Sequence, residues 1–288
     1  MRRLGANFSG LPPIGEQMLV DFMLIGAQKA GSTSLSYQLS QHPQIEFCFH
    51  KEPDFFSKSK DWKANLAEYH ALYEEAPRKI YGEGSTTYTW LPEYPETAWR
   101  IQAYNPNLKL LYIMRHPVER AISHYTHHLL KGRAKYPKEV EIFEVPTYIN
   151  HSRYAMQLRP YFELFPRENI LLILFEEYIK NPLQTLHQIG SFLDIDPCGF
   201  DQVDLTPQYQ SMERTGDKKI KKRLTPISRL FPVKIRNALR GPFVYKLESK
   251  IEFSENTKKM LWRFLEDDVR AVEKMMERSL DLWRTSPH

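Results

Sequence analysis

Residues 26–33 read Gly-Ala-Gln-Lys-Ala-Gly-Ser-Thr, residue types whose spacing suits the holding of a phosphate group. An apolar run ends at Gly26, and the pattern becomes helical from Ser32. A helix N-terminus offers about four unpaired N–H groups and roughly half a positive charge, so a phosphate set there accepts those bonds directly. Gly31 lets backbone approach the ligand. Ser32 and Thr33 add hydroxyl donors, and Lys29 adds a full charge. The nucleoside-triphosphate form of this turn, G-x-x-x-x-G-K-[ST], carries its Lys directly after the second glycine. Ser32 occupies that place here and the Lys lies inside the loop, which points to a phosphate ligand other than ordinary Mg-ATP. The plainer alternative, a strand-to-helix turn with an incidental Lys, stays open on these residues alone.

A second cluster starts where the apolar run 108–114 ends, at Arg115, with Ser123 about two helical turns further on. Ligands of open α/β sheets sit beyond the carboxyl ends of the strands. Arg115 and Ser123 can therefore converge on another phosphate, or Arg115 can pair with a carboxylate while Ser123 faces water. A nucleoside triphosphatase usually holds Mg²⁺ with an Asp that closes an apolar strand. The clear apolar runs here lead into Gly26, Arg115 and Phe175-Glu176, so the metal machinery is weak.

Positioning these groups falls to strands predicted at 20–26, 79–82, 108–114 and 170–175. They alternate with helices predicted at 32–41, 62–75, 95–104, 117–131, 154–165 and 182–193. His42-Pro43 closes the first helix, and Pro117 opens the one after Arg115. Residues 45–57 read as short extended pieces and 132–148 as a loop. Strands alternating with helices predict a parallel sheet covered on both faces. Residues 1–18 read as a loose arm and 19–288 as one domain. Within it, 214–240 holds ten Lys or Arg against one Asp, and 255–283 shows helical apolar periodicity that reads as core packing.

Composition narrows the class. With 288 residues, 42% of them hydrophobic, the chain can bury a sizeable core. A net charge of +5 suits anionic ligands without demanding nucleic acid. Two cysteines, Cys48 and Cys198, fit neither a metal site nor a disulfide framework. No apolar stretch approaches a membrane span, and no secretory h-region follows the basic start, so a soluble cytoplasmic protein is expected.

Taken together these segments resemble the sulfotransferases that use 3′-phosphoadenosine 5′-phosphosulfate (PAPS). Lys29-Ala30-Gly31-Ser32-Thr33 is similar to their 5′-phosphosulfate loop, and Arg115 through Ser123 to their 3′-phosphate motif. Lys51-Glu52-Pro53-Asp54-Phe55-Phe56 resembles the segment that carries the catalytic Glu in the heparan sulfate glucosaminyl (N-/3-O-) branch. The order and spacing match over roughly residues 20–195, and the lack of an N-terminal span is like that of bacterial soluble members. The resemblance implies a P-loop-type three-layer α/β/α fold around a mainly five-stranded parallel sheet. It implies that Lys29 contacts the 5′-phosphate and bridging oxygen, that the backbone of Ala30 to Thr33 cradles that phosphate, and that Arg115 and Ser123 hold the 3′-phosphate. Glu52 is then the general base, with no metal required. His50 is the rival base, and Lys51 and Tyr88 fall on the acceptor side.

The chain departs from that branch at Gly84, where the branch carries a Lys after its Glu. The branch's C-terminal disulfide and Lys-Gly-Arg cofactor loop have no recognisable counterpart, and Arg214, Lys218, Lys219, Lys221 or Lys222 are candidates to supply the missing cations. The acceptor is expected to be a hydroxyl, on a glycan first and on a lipid or small metabolite next. Phe55, Phe56, Tyr88 and Trp90 suit sugar stacking or core packing equally. His124 and His128, four apart with His127 between, have zinc-pair spacing but lack a third ligand. Two other readings stand beside this one: a P-loop kinase or NTPase, and a non-catalytic polyanion-binding module built on the basic segment.

Overall fold

The computed structural model describes residues 19–74, 79–208, 213–215, 244–246 and 251–284. Five strands, β1 (Phe22–Gly26), β2 (Ile45–Phe47), β3 (Ile80–Gly84), β4 (Lys109–Met114) and β5 (Ile170–Leu174), pair in parallel in the order β2-β3-β1-β4-β5. A short antiparallel pair, β6 (Glu213–Thr215) and β7 (Val244–Lys246), forms a second sheet. Around the main sheet run α1 (Ser32–Leu39), α2 (Phe55–Lys58), α3 (Leu66–His70), α4 (Thr97–Tyr104), α5 (Pro117–Leu130), α6 (Lys138–Glu144), α7 (Pro146–Asn150) and α8 (Tyr154–Leu164). The series closes with α9 (Phe175–Lys180), α10 (Pro182–Leu193), α11 (Glu255–Met276) and α12 (Asp281–Arg284). This is the expected α/β architecture.

Every residue of β1 is buried, and only Lys109 of β4 is not. That all-apolar pattern belongs to parallel strands covered on both faces. Right-handed crossovers place α1, between β1 and β2, on one face and the helices between β4 and β5 on the other. β1 and β4 are neighbours, in the register Phe22↔Lys109 through Gly26↔Tyr112. Their carboxyl ends therefore open side by side, one into the 27–31 loop and the other into Arg115.

Several element boundaries differ from those predicted. Residues 132–148 are not one loop, because α6 and α7 occupy Lys138 onward. Both are short and begin beside a proline, so their periodicity was too brief to register. Burial holds them: Ile142 and Tyr148 are fully enclosed with Val118, Ala121 and Leu261 in a second core cluster. The helix predicted at 62–75 shrinks to α3 amid turns. The 45–57 stretch contains the single turn α2. The predicted 255–283 helix breaks at Glu277, whose φ of 54° ends α11. Ser254 caps α11 by accepting the Thr257 N–H at 3.2 Å, and Leu261, Leu265, Val269 and Val272 form its buried stripe. The arm 1–18 and residues 216–240 of the basic segment lie outside the described residues.

The C-terminal helices reach back to the turn after β4. Trp283 is wholly buried. Its indole N–H donates to Glu176 Oε2 at 3.1 Å, and its carbonyl accepts from His116 Nε2 at 2.9 Å. Glu176 Oε1 accepts the His116 N–H at 2.7 Å, so the turn after β4 is held from two sides. Replacing Trp283 with Ala should cost about 3–5 kcal/mol, measured as a fall in the urea midpoint. A cost below about 1 kcal/mol would show that this clamp is dispensable.

Candidate active site

The 27–31 loop leaves β1 and feeds α1. Lys29 (φ 69°) and Gly31 (φ 95°) both adopt the left-handed region. A Cβ on Gly31 would lie 2.8 Å from the Phe175 ring, so no side chain fits there. Intrahelical bonding starts with Leu35 N–H to Gly31 C=O at 3.1 Å. The amides of Ser32, Thr33 and Ser34 precede it and have no partner within the helix. Ala30 is fully buried beneath the loop.

Arg115 emerges from β4, pairs with Glu119 at 3.1 Å and lies over the Phe175 ring at 5.4 Å. Tyr154 fixes its backbone, its hydroxyl donating to the Arg115 carbonyl at 2.7 Å. Ser123 projects from α5 two turns later. The same helix carries Arg120, fully buried. Its guanidinium donates to Ser152 Oγ and Tyr148 O at 2.6 Å each and to Gln28 O at 3.5 Å. Burial without a carboxylate lowers the Arg120 pKa to about 10, and the bond to Gln28 ties α5 to the 27–31 loop.

The third segment, 50–54, follows β2. Glu52 and Asp54 take positive φ, 52° and 55°, and hydroxyls hold both. Thr86 donates to Glu52 Oε1 at 3.2 Å, and Thr87 to Asp54 Oδ1 at 2.6 Å. The Ser85 hydroxyl accepts the Asp54 N–H at 3.0 Å and donates to Glu83 Oε2 at 3.0 Å. Glu83 is completely buried and also accepts from Tyr69 and Tyr88 at 2.8 and 2.7 Å. Burial pushes its carboxyl up to about 7 even against those three donors. Lys51 donates to Thr33 Oγ1 at 3.2 Å, bridging this segment to α1.

One cavity of about 560 Å³ brings the three segments together. Lys29, Gly31, Ser32 and Thr33 line it from the first, Arg115 and Ser123 from the second, and Lys51 and Glu52 from the third. His50 is exposed outside that lining. Tyr88 is buried with its hydroxyl on Glu83, and it packs with Phe56 in an aromatic cluster that includes Phe55 and Tyr69. Of the four aromatics singled out in the sequence, Trp90 is the one that reaches the cavity. His124 and His128 meet protein partners. His124 Nδ1 lies 3.4 Å from Arg120, and His128 Nδ1 lies 2.9 Å from the Tyr148 hydroxyl. Burial lowers both imidazoles, His128 to about 4, and among the described residues no group of three or more His, Cys, Asp or Glu is placed to hold a metal.

Sequence reasoning missed Lys131 and Arg133, which line the cavity from the end of α5. Gly132 between them has φ 62°, and its amide and that of Arg133 close the helix on Leu129 O and His128 O. The signal was visible as a Lys-Gly-Arg triplet at a helix end. Phe175, read as the tail of a strand, begins α9 and floors the site.

A family profile described as "Sulfotransferase domain" matches residues 19–229. The chain belongs to the sulfotransferase domain family. A crystallised sulfotransferase from Alicyclobacillus acidocaldarius superposes with a TM-score of 0.67 at 27% identity, over 92% of this chain and 98% of that one. Heparan sulfate glucosamine 3-O-sulfotransferase 3B1 of Mus musculus is 31% identical over 209 residues, 67% of this chain and 50% of the relative. Carbohydrate sulfotransferase 15 of Rattus norvegicus is 22% identical over 308 residues, 81% of this chain and 54% of the relative. The chain thus spans about half the length of the curated relatives it matches. No described helix is long and apolar enough to cross a membrane.

Glu83 makes this sulfotransferase-family site pH-sensitive. Its folded pKa, about 7, exceeds its ordinary 4.5, so the folded state binds the proton more tightly than the unfolded state. The stability it contributes is complete below about pH 4.5 and is lost as pH rises through about 7. Relative to Glu83→Gln, the native chain should lose stability between those limits, on the order of 1 kcal/mol per pH unit at most. Thermal melts of both proteins at pH 4.5, 6 and 8 check this. Parallel melting curves would remove Glu83 from the pH response.

Proposed function

We propose that the chain is a PAPS-dependent sulfotransferase acting on an acceptor hydroxyl. The observation that carries this reading is the single cavity in which Lys29, Arg115 and Glu52, far apart in sequence, meet. The donor set fits the cofactor. First-turn amides and Lys29 suit a 5′-phosphosulfate, while Arg115 and Ser123 suit a separate 3′-phosphate. The cofactor supplies an activated sulfuryl group on a good phosphate leaving group. Lys29 and the α1 N-terminus hold charge that develops on the leaving oxygen. Glu52, oriented by Thr86, takes the acceptor's proton as its oxygen bonds to sulfur in line with the departing phosphate oxygen. Such base assistance is typically worth about 10²–10⁴-fold. Lys51, hydrogen-bonded to Thr33, adds positive charge between donor and base. The curated relatives are named for sugar acceptors; sugar, lipid and small-metabolite hydroxyls all fit this chemistry.

Calorimetric titration with adenosine 3′,5′-bisphosphate, with and without Mg²⁺ and against ATP, tests the cofactor. Mg²⁺-independent binding that weakens roughly 10- to 100-fold in Arg115→Ala is expected, and preference for Mg-ATP would defeat the proposal. Glu52→Gln should lower kcat by about 10²–10⁴-fold with bisphosphate affinity unchanged. An unaltered kcat in that variant would remove Glu52 from the mechanism.

A further inference from the structure

A second cavity, about 350 Å³, opens on the other side of Glu52. Ser32, Thr33, Lys51, Glu52 and Thr86 line both cavities, so the base stands at the junction of two compartments. Their linings differ in charge. The first gathers Lys29, Lys51, Lys58, Arg115, Lys131 and Arg133 against the carboxylates of Glu52 and Asp54. Among the described residues that line the second, Lys51 and Glu52 are the charged ones, both at the shared boundary. Leu24, Phe47, Cys48 and Phe49 give it an apolar wall, with Ser36 and Tyr37 opposite.

Gly84 opens this second space. It closes β3, and a Cβ there would lie 2.7 Å from Ser36 Oγ, 3.6 Å from the Phe47 ring and 3.7 Å from Leu24 Cβ. Any side chain at 84 would therefore project into the compartment and begin to fill it. At the mouth, Phe49 is 72% exposed, a large apolar ring standing in water beside the base. An exposed ring of that size on a cavity rim fits an apolar ligand surface.

Resting on the sulfuryl-transfer reading above, we infer that the second cavity seats the body of the acceptor, and that the acceptor is a compact, uncharged alcohol or phenol with an apolar body. Charge separation between the compartments sorts the two substrates. The polyanionic donor occupies the cationic cavity, and the neutral acceptor enters the apolar one with its hydroxyl at Glu52. The acceptor O–H proton passes to Glu52, the oxygen forms the new bond to sulfur, and the bond from sulfur to the cofactor's phosphate oxygen breaks to release adenosine 3′,5′-bisphosphate. Among the described residues a polyanionic oligosaccharide would meet one cation, Lys51, in this compartment, and burying its charges there would be costly.

The test uses the full chain with PAPS and two probes, 2-naphthol and a heparin-derived hexasaccharide. Bisphosphate affinity is measured separately in each variant. Sulfation of 2-naphthol, with KM raised roughly tenfold or more in Gly84→Leu and raised several-fold in Phe49→Ala, is expected, with bisphosphate affinity unchanged in both. Phe49→Ala alters an exposed ring, so it keeps the test valid should Gly84→Leu fail to fold. Turnover of the hexasaccharide but not of 2-naphthol would overturn this inference and leave the sulfotransferase reading standing. So would absence of 2-naphthol binding to the bisphosphate-loaded enzyme, read by fluorescence. Absence of bisphosphate binding would overturn both readings.

Discussion

The site depends on one pairing, β1 against β4 at the centre of the sheet. Each strand hands over at its carboxyl end to a helix, and the two helices begin side by side. The Lys29 and Arg115 side chains line one cavity from these two strand ends. Cations that share a cavity disfavour one another's charge. The protein tolerates them by tying each to a rigid support: Arg115 to Glu119, Phe175 and Tyr154, and the Lys29 loop to Arg120 through Gln28 O.

The catalytic side rests on a different kind of support. Glu52 and Asp54 occupy backbone conformations that cost of order 1 kcal/mol or more each. A run of hydroxyls, Ser85, Thr86 and Thr87, holds them there. Ser85 among them is anchored in turn on the buried Glu83, which Tyr69 and Tyr88 also hold. The carboxylate proposed to act as base is thus positioned by short side chains with few rotamers, which limits the reorganisation needed when an acceptor arrives. Proximity to water is left to Glu52, while Glu83 performs the structural work behind it.

Much of this was legible in the chain. Lys29 through Thr33 and Arg115 with Ser123 each sit in a local pattern whose residue types and spacing suit a phosphate, while Glu52 stands out only through the resemblance of 51–56 to a family segment. The strands β1, β4 and β5 stand out because fully covered parallel strands are continuously apolar. What stayed hidden is tertiary. No spacing in the sequence reveals that β1 adjoins β4, that Tyr88 turns inward to Glu83, or that Leu24, Phe47 and Gly84 from three strands enclose a second compartment. The short helices α6 and α7 escaped for the same reason, since burial against α5 and α11 stabilises them more than their own periodicity does. Lys131 and Arg133 were legible as cations but not as cavity residues, because the Schellman-like ending around Gly132 aims them back.

Helix α5 runs along the first cavity. Arg115 precedes its first turn, Ser123 rises from its middle, and Lys131 and Arg133 follow its last. Its 14 residues span about 21 Å, so it serves as a ruler that sets three contact points on one rigid edge. A ruler of this kind cannot be lengthened or shortened gradually. Inserting or deleting one residue after Ser123 would turn everything beyond it by about 100°, swinging Lys131 and Arg133 off the cavity and driving the apolar face of α5 out of the second core cluster. Change in length among related chains should therefore be confined to surface connections such as residues 134–137, while the interval from Arg115 to Arg133 stays constant in count even where its residues vary.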